Sequence, residues 1–258
     1  MTLTDEYRNQ FRWRPWPQIL EKLPPFEGRT VLDLGCGIGD QAAELATRGA
    51  RVIGIDTNQV LLDAARSRGI PNADFREGDL RRLPSVELPV DGIWCSFAAA
   101  YFPGLDKLLT SWRALLSPGG WIALTEVDDL FAHEPLDPHA ATILAAYRDD
   151  ALAANRYDFR MGRKLQVHLE GAGFHVVTAL KLRDYKLAFD GPAAPGVLEA
   201  WTARLARMTT LHQFCGDDFD HVSGQFLAAL AHPRHRSNAC IYSCTAIMSN
   251  PRGSASAV

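Results

Sequence analysis

Along its first half the chain alternates short apolar runs with stretches of helical spacing. Residues 31–34, 52–56, 73–80, 90–97 and 121–126 are apolar-rich runs, and each carries an acid or polar residue toward its carboxyl end. Runs this short, bounded by turn residues, predict buried strands. Between them residues 41–48, 59–68 and 106–116 repeat apolar positions three and four apart, with Leu108, Leu109, Trp112 and Leu115 on one stripe, and predict helices. Such alternation builds a parallel sheet covered on both faces, because each crossover must return the chain to the same end of the sheet. Ligands on these sheets bind at the carboxyl ends of the strands, where the acids of this chain gather.

The second half predicts a helix over 162–174 closed by Gly-Ala-Gly-Phe, a strand over 175–189 and a final strand over 238–248. Residues 129–161 and 192–231 exceed ordinary connections and leave from the ligand edge, so they are expected to form helical cap insertions over a bound acceptor. The stripe Leu198, Trp201, Leu205, Met208 within the second insertion has helical spacing and is read as core, with part of it open to the acceptor.

Composition narrows this picture. A chain of 258 residues, 47% of them hydrophobic, buries one substantial α/β core, so residues 1–258 are expected to form a single domain. The net charge of −3 argues against nucleic acid as a partner. No run approaches ~18 apolar residues and the first ten residues are polar, which predicts a cytoplasmic protein without membrane span or secretory signal. Five cysteines without a C-x-x-C predict neither a disulfide framework nor a metal site. Four residues apart on one strand, Cys240 and Cys244 would lie roughly 13 Å apart, too far to bridge.

The most informative stretch is Val-Leu-Asp-Leu-Gly-Cys-Gly-Ile-Gly-Asp at 31–40. Glycines at 35, 37 and 39 let the backbone turn with positive φ and approach a ligand, while the next helix points its free N–H groups at it. Nicotinamide and flavin dinucleotide sites use a related G-x-G-x-x-G loop, but here Asp40 stands at the third glycine position, where a carboxylate would repel a pyrophosphate. Cys36 fills a small-residue slot. Asp56 closes the second run roughly 20 residues after Gly35, where a carboxylate reaches ribose hydroxyls.

In VLDLGCGIGD, VIGIDTN, FREGDL and LSPGG, in that order over residues 30–128, the chain resembles the class I S-adenosylmethionine-dependent methyltransferases, specifically their small-molecule branch. The resemblance implies a Rossmann-like α/β fold with a seven-stranded sheet, mostly parallel with the last strand antiparallel, and S-adenosyl-L-methionine as cofactor. It places Asp33, Gly35 and Gly37 around the methionine end, Asp56 with Thr57 at the ribose, Asp79 and the backbone of Leu80 at the adenine, and Ser96 and Phe97 beside the sulfonium. Cys36, Asp40 and Tyr7 complete the expected cofactor set.

The amino terminus crowds Tyr7, Phe11, Arg12, Trp13, Arg14 and Trp16 into ten positions. Residues 1–20 read either as a lid over the cofactor or as an aromatic cover for the first strand with its arginines in solvent. Candidate proton acceptors at the ligand edge are Tyr101, Glu126, Asp128 and His133. Trp13, Tyr157, Arg160, Met208 and His212 are the candidate acceptor contacts, the arginine for its fit to a carboxylate.

The expected activity is methyl transfer to an oxygen, nitrogen or carbon of a small organic acceptor in the biosynthesis of secondary metabolites, by a monomer or homodimer. Alternatives are a cofactor-retaining cyclase or decarboxylase, a nicotinamide-dependent oxidoreductase, and a non-catalytic partner.

Overall fold

In the computed structural model, which describes residues 2–248, the chain forms strands β1 (Thr30–Leu34), β2 (Arg51–Asp56), β3 (Ala73–Glu77), β4 (Val90–Ser96), β5 (Leu116–Asp128), β6 (His133–Glu134), β7 (Phe174–Leu182), β8 (Arg236–Ser237) and β9 (Cys240–Met248). Its α-helices are α1 (Leu3–Trp13), α2 (Trp16–Leu20), α3 (Asp40–Thr47), α4 (Gln59–Ser67), α5 (Leu105–Arg113), α6 (Pro138–Ala153), α7 (Leu165–Gly171), α8 (Pro195–Arg207), α9 (Thr209–Cys215) and α10 (Phe219–Ala231).

Seven strands make one sheet in the order β3-β2-β1-β4-β5-β9-β7. β1 to β5 pair in parallel, and β9 runs antiparallel between β5 and β7. The expected Rossmann-like sheet with an antiparallel last strand is therefore present.

Successive side chains on a strand point to opposite faces, and the two cores follow that period. Val31, Trp94, Trp121, Ala123 and Val127 face one core, shared with Leu45, Leu62 and Trp201 from helices. Leu32, Leu34, Ile93, Ile122 and Leu124 face the other, filled by Leu109, Trp112, Met161 and Leu165. Burying both faces is what makes the strands read as unbroken apolar runs.

Three elements differ from the sequence expectation. β7 stops at Leu182 and not at 189, because one oxygen of Asp184 accepts the N–H groups of Lys186, Leu187 and Ala188 and closes a turn there. The predicted helix over 162–174 splits into a 3₁₀ turn, Gly162–Lys164, followed by α7. β6 and β8 pair with each other in a separate two-stranded ribbon, too short to leave a periodic signal.

Both long insertions are helical. α10 packs against α6, α8 and α9, with Phe226 centred 4.9 Å from Trp201 and 5.7 Å from Phe131. All five cysteines are buried free thiols, Cys240 and Cys244 on β9 among them. Among the described residues no helix is long and apolar enough to cross a membrane.

Candidate active site

A cavity of about 760 Å³ opens at the carboxyl ends of β1, β2 and β4. One wall is built by chain turns. After β1 the backbone turns through Gly35, Gly37 and Gly39 at φ +79°, +53° and +74°. The N–H groups of Gly35 and Cys36 donate to the Ile55 carbonyl at 2.8 and 3.2 Å, which ties the loop to the end of β2. Side chains are excluded here by space as well as by φ, since a β-carbon on Gly35 would lie 2.7 Å from that of Ala98.

Asp56 locks the same loop from the neighbouring strand. One of its oxygens accepts the Gly37 N–H at 2.9 Å and the other the Asn58 N–H at 2.8 Å. A carboxylate offers about four lone-pair positions, so two remain for a ligand. Asp79 accepts the Arg81 N–H at 2.8 Å, and the Leu80 carbonyl accepts from Trp112 Nε1 at 3.1 Å. Thr57, Ser96 and Phe97 also line the cavity. Phe97 sits at φ +56°, a costly conformation for a bulky residue and one that concentrates at functional sites.

Asp33 lies beneath the loop, 2% exposed, with one carboxylate oxygen lacking any partner. Burial, and then the charge of Asp56, push its pKa up to about 8. Asp40 lines the cavity but pairs with Arg68 at 2.8 Å, so its repulsion of an anion is weaker than its position alone suggests.

The opposite wall is made of side chains from the insertions: Tyr147 and Ala151 of α6, Tyr157 and Phe159 beyond it, Arg204 and Arg207 of α8, and Met208 to Thr210. Helix α1 closes a further side. Its Leu3, Glu6, Tyr7, Gln10 and Phe11 face the cavity, and Tyr7 covers the glycine loop so closely that a β-carbon on Gly37 would come within 2.9 Å of its ring. The capping box of Thr2 and Asp5 starts α1, and Pro15 follows its end.

Several candidates lie elsewhere. His133 is 1% exposed, its ring stacked on His235 and surrounded by Phe189, Trp201 and Phe226. Burial, then the second imidazole, push its pKa down to about 3, and it lines a different hollow. The expectation of a loop histidine at the ligand edge fails because β6 carries it into the cap core. Glu126 is fully buried and accepts the Ala100 and Val127 N–H groups at 2.9 and 3.0 Å, which fixes the turn that carries Tyr101. Asp128 is clamped by Arg163 at 2.7 to 2.9 Å.

Of the acceptor candidates, Tyr157 and Met208 line the cavity. Arg160 turns to Asp129 at 3.4 Å, His212 packs its ring 4.4 Å from Phe219, and Trp13, whose ring lies 6.0 Å from Lys186 Nζ, does not line the cavity. Arg14 departs from the solvent-facing role considered for the amino-terminal arginines: it is buried, paired with Asp184, and rests 4.5 Å over the Phe97 ring. Glu6, Arg204 and Arg207 are absent from the sequence-based set. Arg204 and Arg207, three residues apart on one helix, share a face, and that spacing was the available signal.

Residues 31–120 match the family model of the methyltransferase domain. A trans-aconitate 2-methyltransferase of Variovorax paradoxus is 33% identical over 120 residues, covering 46% of this chain and 46% of that protein. Residues 31–120 therefore carry a methyltransferase domain. A trans-aconitate 2-methyltransferase of Deinococcus radiodurans aligns over 228 residues at 28% identity, covering 84% of this chain and 86% of that one. The chain spans about half the length of most curated relatives it matches. Among solved structures, the [4+2]-cyclase SpnF superposes with a TM-score of 0.57 at 20% identity, covering 90% of this chain and 78% of that one. That likeness concerns the fold alone, so the reaction has to be argued from the site.

Proposed function

We propose that the chain transfers the methyl group of S-adenosylmethionine to an oxygen, nitrogen or carbon of a small organic acceptor. One observation carries this reading: a single cavity is lined together by the glycine loop and strand-end acids, by α1 and by side chains of the insertions, which joins a cofactor end to an acceptor end. Relatives named for methyl transfer to trans-aconitate support a small acceptor.

The residues fit an adenosyl amino acid. Asp33 and Ser96 each present a buried oxygen without a protein partner, and Asp56 keeps two lone pairs beside the positive-φ loop. Asp33, Gly35 and Gly37 would hold the amino-acid end, Asp56 and Thr57 the ribose, and Asp79 with Leu80 the adenine. Tyr7, Cys36, Asp40, Ser96 and Phe97 would wall the remainder.

S-adenosylmethionine supplies, when bound, a methyl group already activated by a sulfonium. What the protein adds is alignment and exclusion of water. Tyr7 and Phe11 of α1, in this reading a lid, screen the glycine loop, while Tyr101, Tyr157 and Met208 border the acceptor. Burial raises the pKa of Tyr101 and Tyr157, so neither phenol is a ready proton acceptor near neutrality. A nucleophile that arrives ionised needs none.

Calorimetry with S-adenosylhomocysteine, followed by transfer of labelled methyl to a panel of phenols, amines, indoles and carboxylic acids, tests the proposal. Binding and label on at least one acceptor are expected. A protein that ignores S-adenosylhomocysteine and binds NADH would overturn the cofactor reading. Tight binding without transfer to any acceptor would turn the reading toward a cyclase or decarboxylase. As a lid, α1 should be cut at the exposed Arg8 and Arg12 without ligand and protected by S-adenosylhomocysteine.

A further inference from the structure

Five arginines line the cavity, and four of them are engaged by carboxylates. Arg14 pairs with Asp184, Arg207 with Glu6, Arg156 with Asp150, and Arg81 with Asp79 at 3.4 Å. Arg204 differs: among the described residues no carboxylate pairs with it, and its guanidinium rests 5.5 Å from the Trp201 ring.

The carboxylates of the cavity are engaged as well. Glu6 is held by Arg207, Asp40 by Arg68, Asp79 by Arg81, and Asp56 by two backbone N–H groups. Arg204 therefore pairs with no carboxylate that lines the cavity; its charge is felt by Glu126, which is buried behind the wall and bound to the Ala100 and Val127 N–H groups. Around it, Tyr7, Tyr101 and Tyr157 line the space, and among the described residues their hydroxyls make no hydrogen bond to protein. Desolvation by the surrounding protein raises all three phenols and keeps them protonated as donors, while the charge of Arg204 acts in the opposite sense on each.

A neutral acceptor closing this cavity would strip water from a guanidinium and leave it without a counter-charge, and an ammonium would be repelled. A planar carboxylate matches the planar fork of guanidinium and can take a further hydrogen bond from a phenol. We infer that Arg204 is the specificity-determining residue of the acceptor site and that it anchors a carboxylate of the acceptor. The inference rests on the proposed methyl transfer. It also gives α8 two tasks on one face, since Arg207 holds the amino-terminal helix through Glu6 while Arg204 holds the acceptor.

The test uses the full chain and the variants Arg204→Gln and Arg204→Lys, each first checked for an unchanged melting temperature and for S-adenosylhomocysteine binding. Malonate, succinate and trans-aconitate are then titrated into the S-adenosylhomocysteine complex by calorimetry, and labelled-methyl transfer is measured on the same acids and on their neutral amides. At least one acid should bind the wild type, and Arg204→Gln should weaken it about ten- to a hundredfold, as expected for a charge-assisted pair. The loss should appear mainly in KM, the preference for acid over amide should collapse, and Arg204→Lys should restore part of it. The inference is overturned if none of the acids binds the wild-type complex, if Arg204→Gln binds them equally well, or if acids and amides are methylated alike. Failure of the wild type to bind S-adenosylhomocysteine would instead count against the underlying methyltransferase reading.

Discussion

The two walls of the cavity are built by different means. On the strand-end wall, cavity-facing groups come from short segments at the ends of neighbouring strands, whose positions follow from backbone geometry: three positive-φ glycines after β1, an acid at the end of β2, and N–H bonds that tie the loop to Ile55 and Asp56. On the cap wall, Tyr157, Arg204, Met208 and the α1 residues come from segments far apart in the chain, joined by ion pairs and ring contacts. A wall of the first kind tolerates little substitution and changes little with its surroundings. A wall of the second kind can be rebuilt for another acceptor without disturbing the first, so one fold can serve many reactions.

The seam between the walls offers the largest expected effect. Arg14→Met would leave Asp184 buried and unpaired, and breaking such a pair costs about 3–5 kcal/mol. Thermal unfolding should show a melting temperature lower by roughly 6–20 °C, given about 2–4 °C per kcal/mol for a domain of this size class. A drop under two degrees would show that the two walls do not depend on this seam.

Gly35→Val strikes the strand-end wall alone. It forces a β-branched residue to φ +79° with its β-carbon 2.7 Å from that of Ala98. S-adenosylhomocysteine affinity should fall about a hundredfold through strain and loss of the ligand's space. Retained affinity would show that the loop can give way, against the contrast drawn here.

Asp56→Ala should be milder. Removing charge-assisted hydrogen bonds worth about 1.5–3 kcal/mol predicts a ten- to a hundredfold loss of cofactor affinity. Acid binding at the cap wall, measured by calorimetry on the variant saturated with S-adenosylhomocysteine, should stay within about threefold of wild type, as independent sites require. A parallel collapse at both walls would mean that they are coupled.

The smallest effect is pH dependence. Burial followed by Asp56 holds the pKa of Asp33 up to about 8 in the free protein, so below that value the carboxyl is neutral and offers less to the ligand's ammonium. S-adenosylhomocysteine affinity should therefore rise between pH 6.5 and 8.5, by about tenfold or less, with proton release visible in calorimetry across buffers. Asp33→Asn should flatten the profile. The same shift makes Asp33 a drain on stability as pH rises: its folded pKa exceeds the unfolded value of 3.8, so folding is weakened progressively between pH 4 and 8.

How much could be read in advance follows the same division. VLDLGCGIGD places a strand, a turn and a helix start within ten residues, and local sterics leave them few alternatives, so the loop and its neighbouring acids were legible. Leu108, Leu109 and Trp112 likewise had to share a face, and all three are buried in one core. The wall built by the insertions was not legible. His133 and Glu126 sat at the expected sheet edge, yet the β6–β8 ribbon and two backbone N–H donors bury them.

By itself, then, the sequence determined the order of the main strands and helices, the glycine turn and the motifs of a methyltransferase domain, because each depends on neighbours a few residues away. Only the tertiary structure decided that Asp184 would cut β7 short and take Arg14, that Arg207 would be engaged by Glu6, and that Arg204 would be left facing the cavity. Which arginine keeps a free charge depends on carboxylates brought in by other segments. Spacing along one helix carries no record of them.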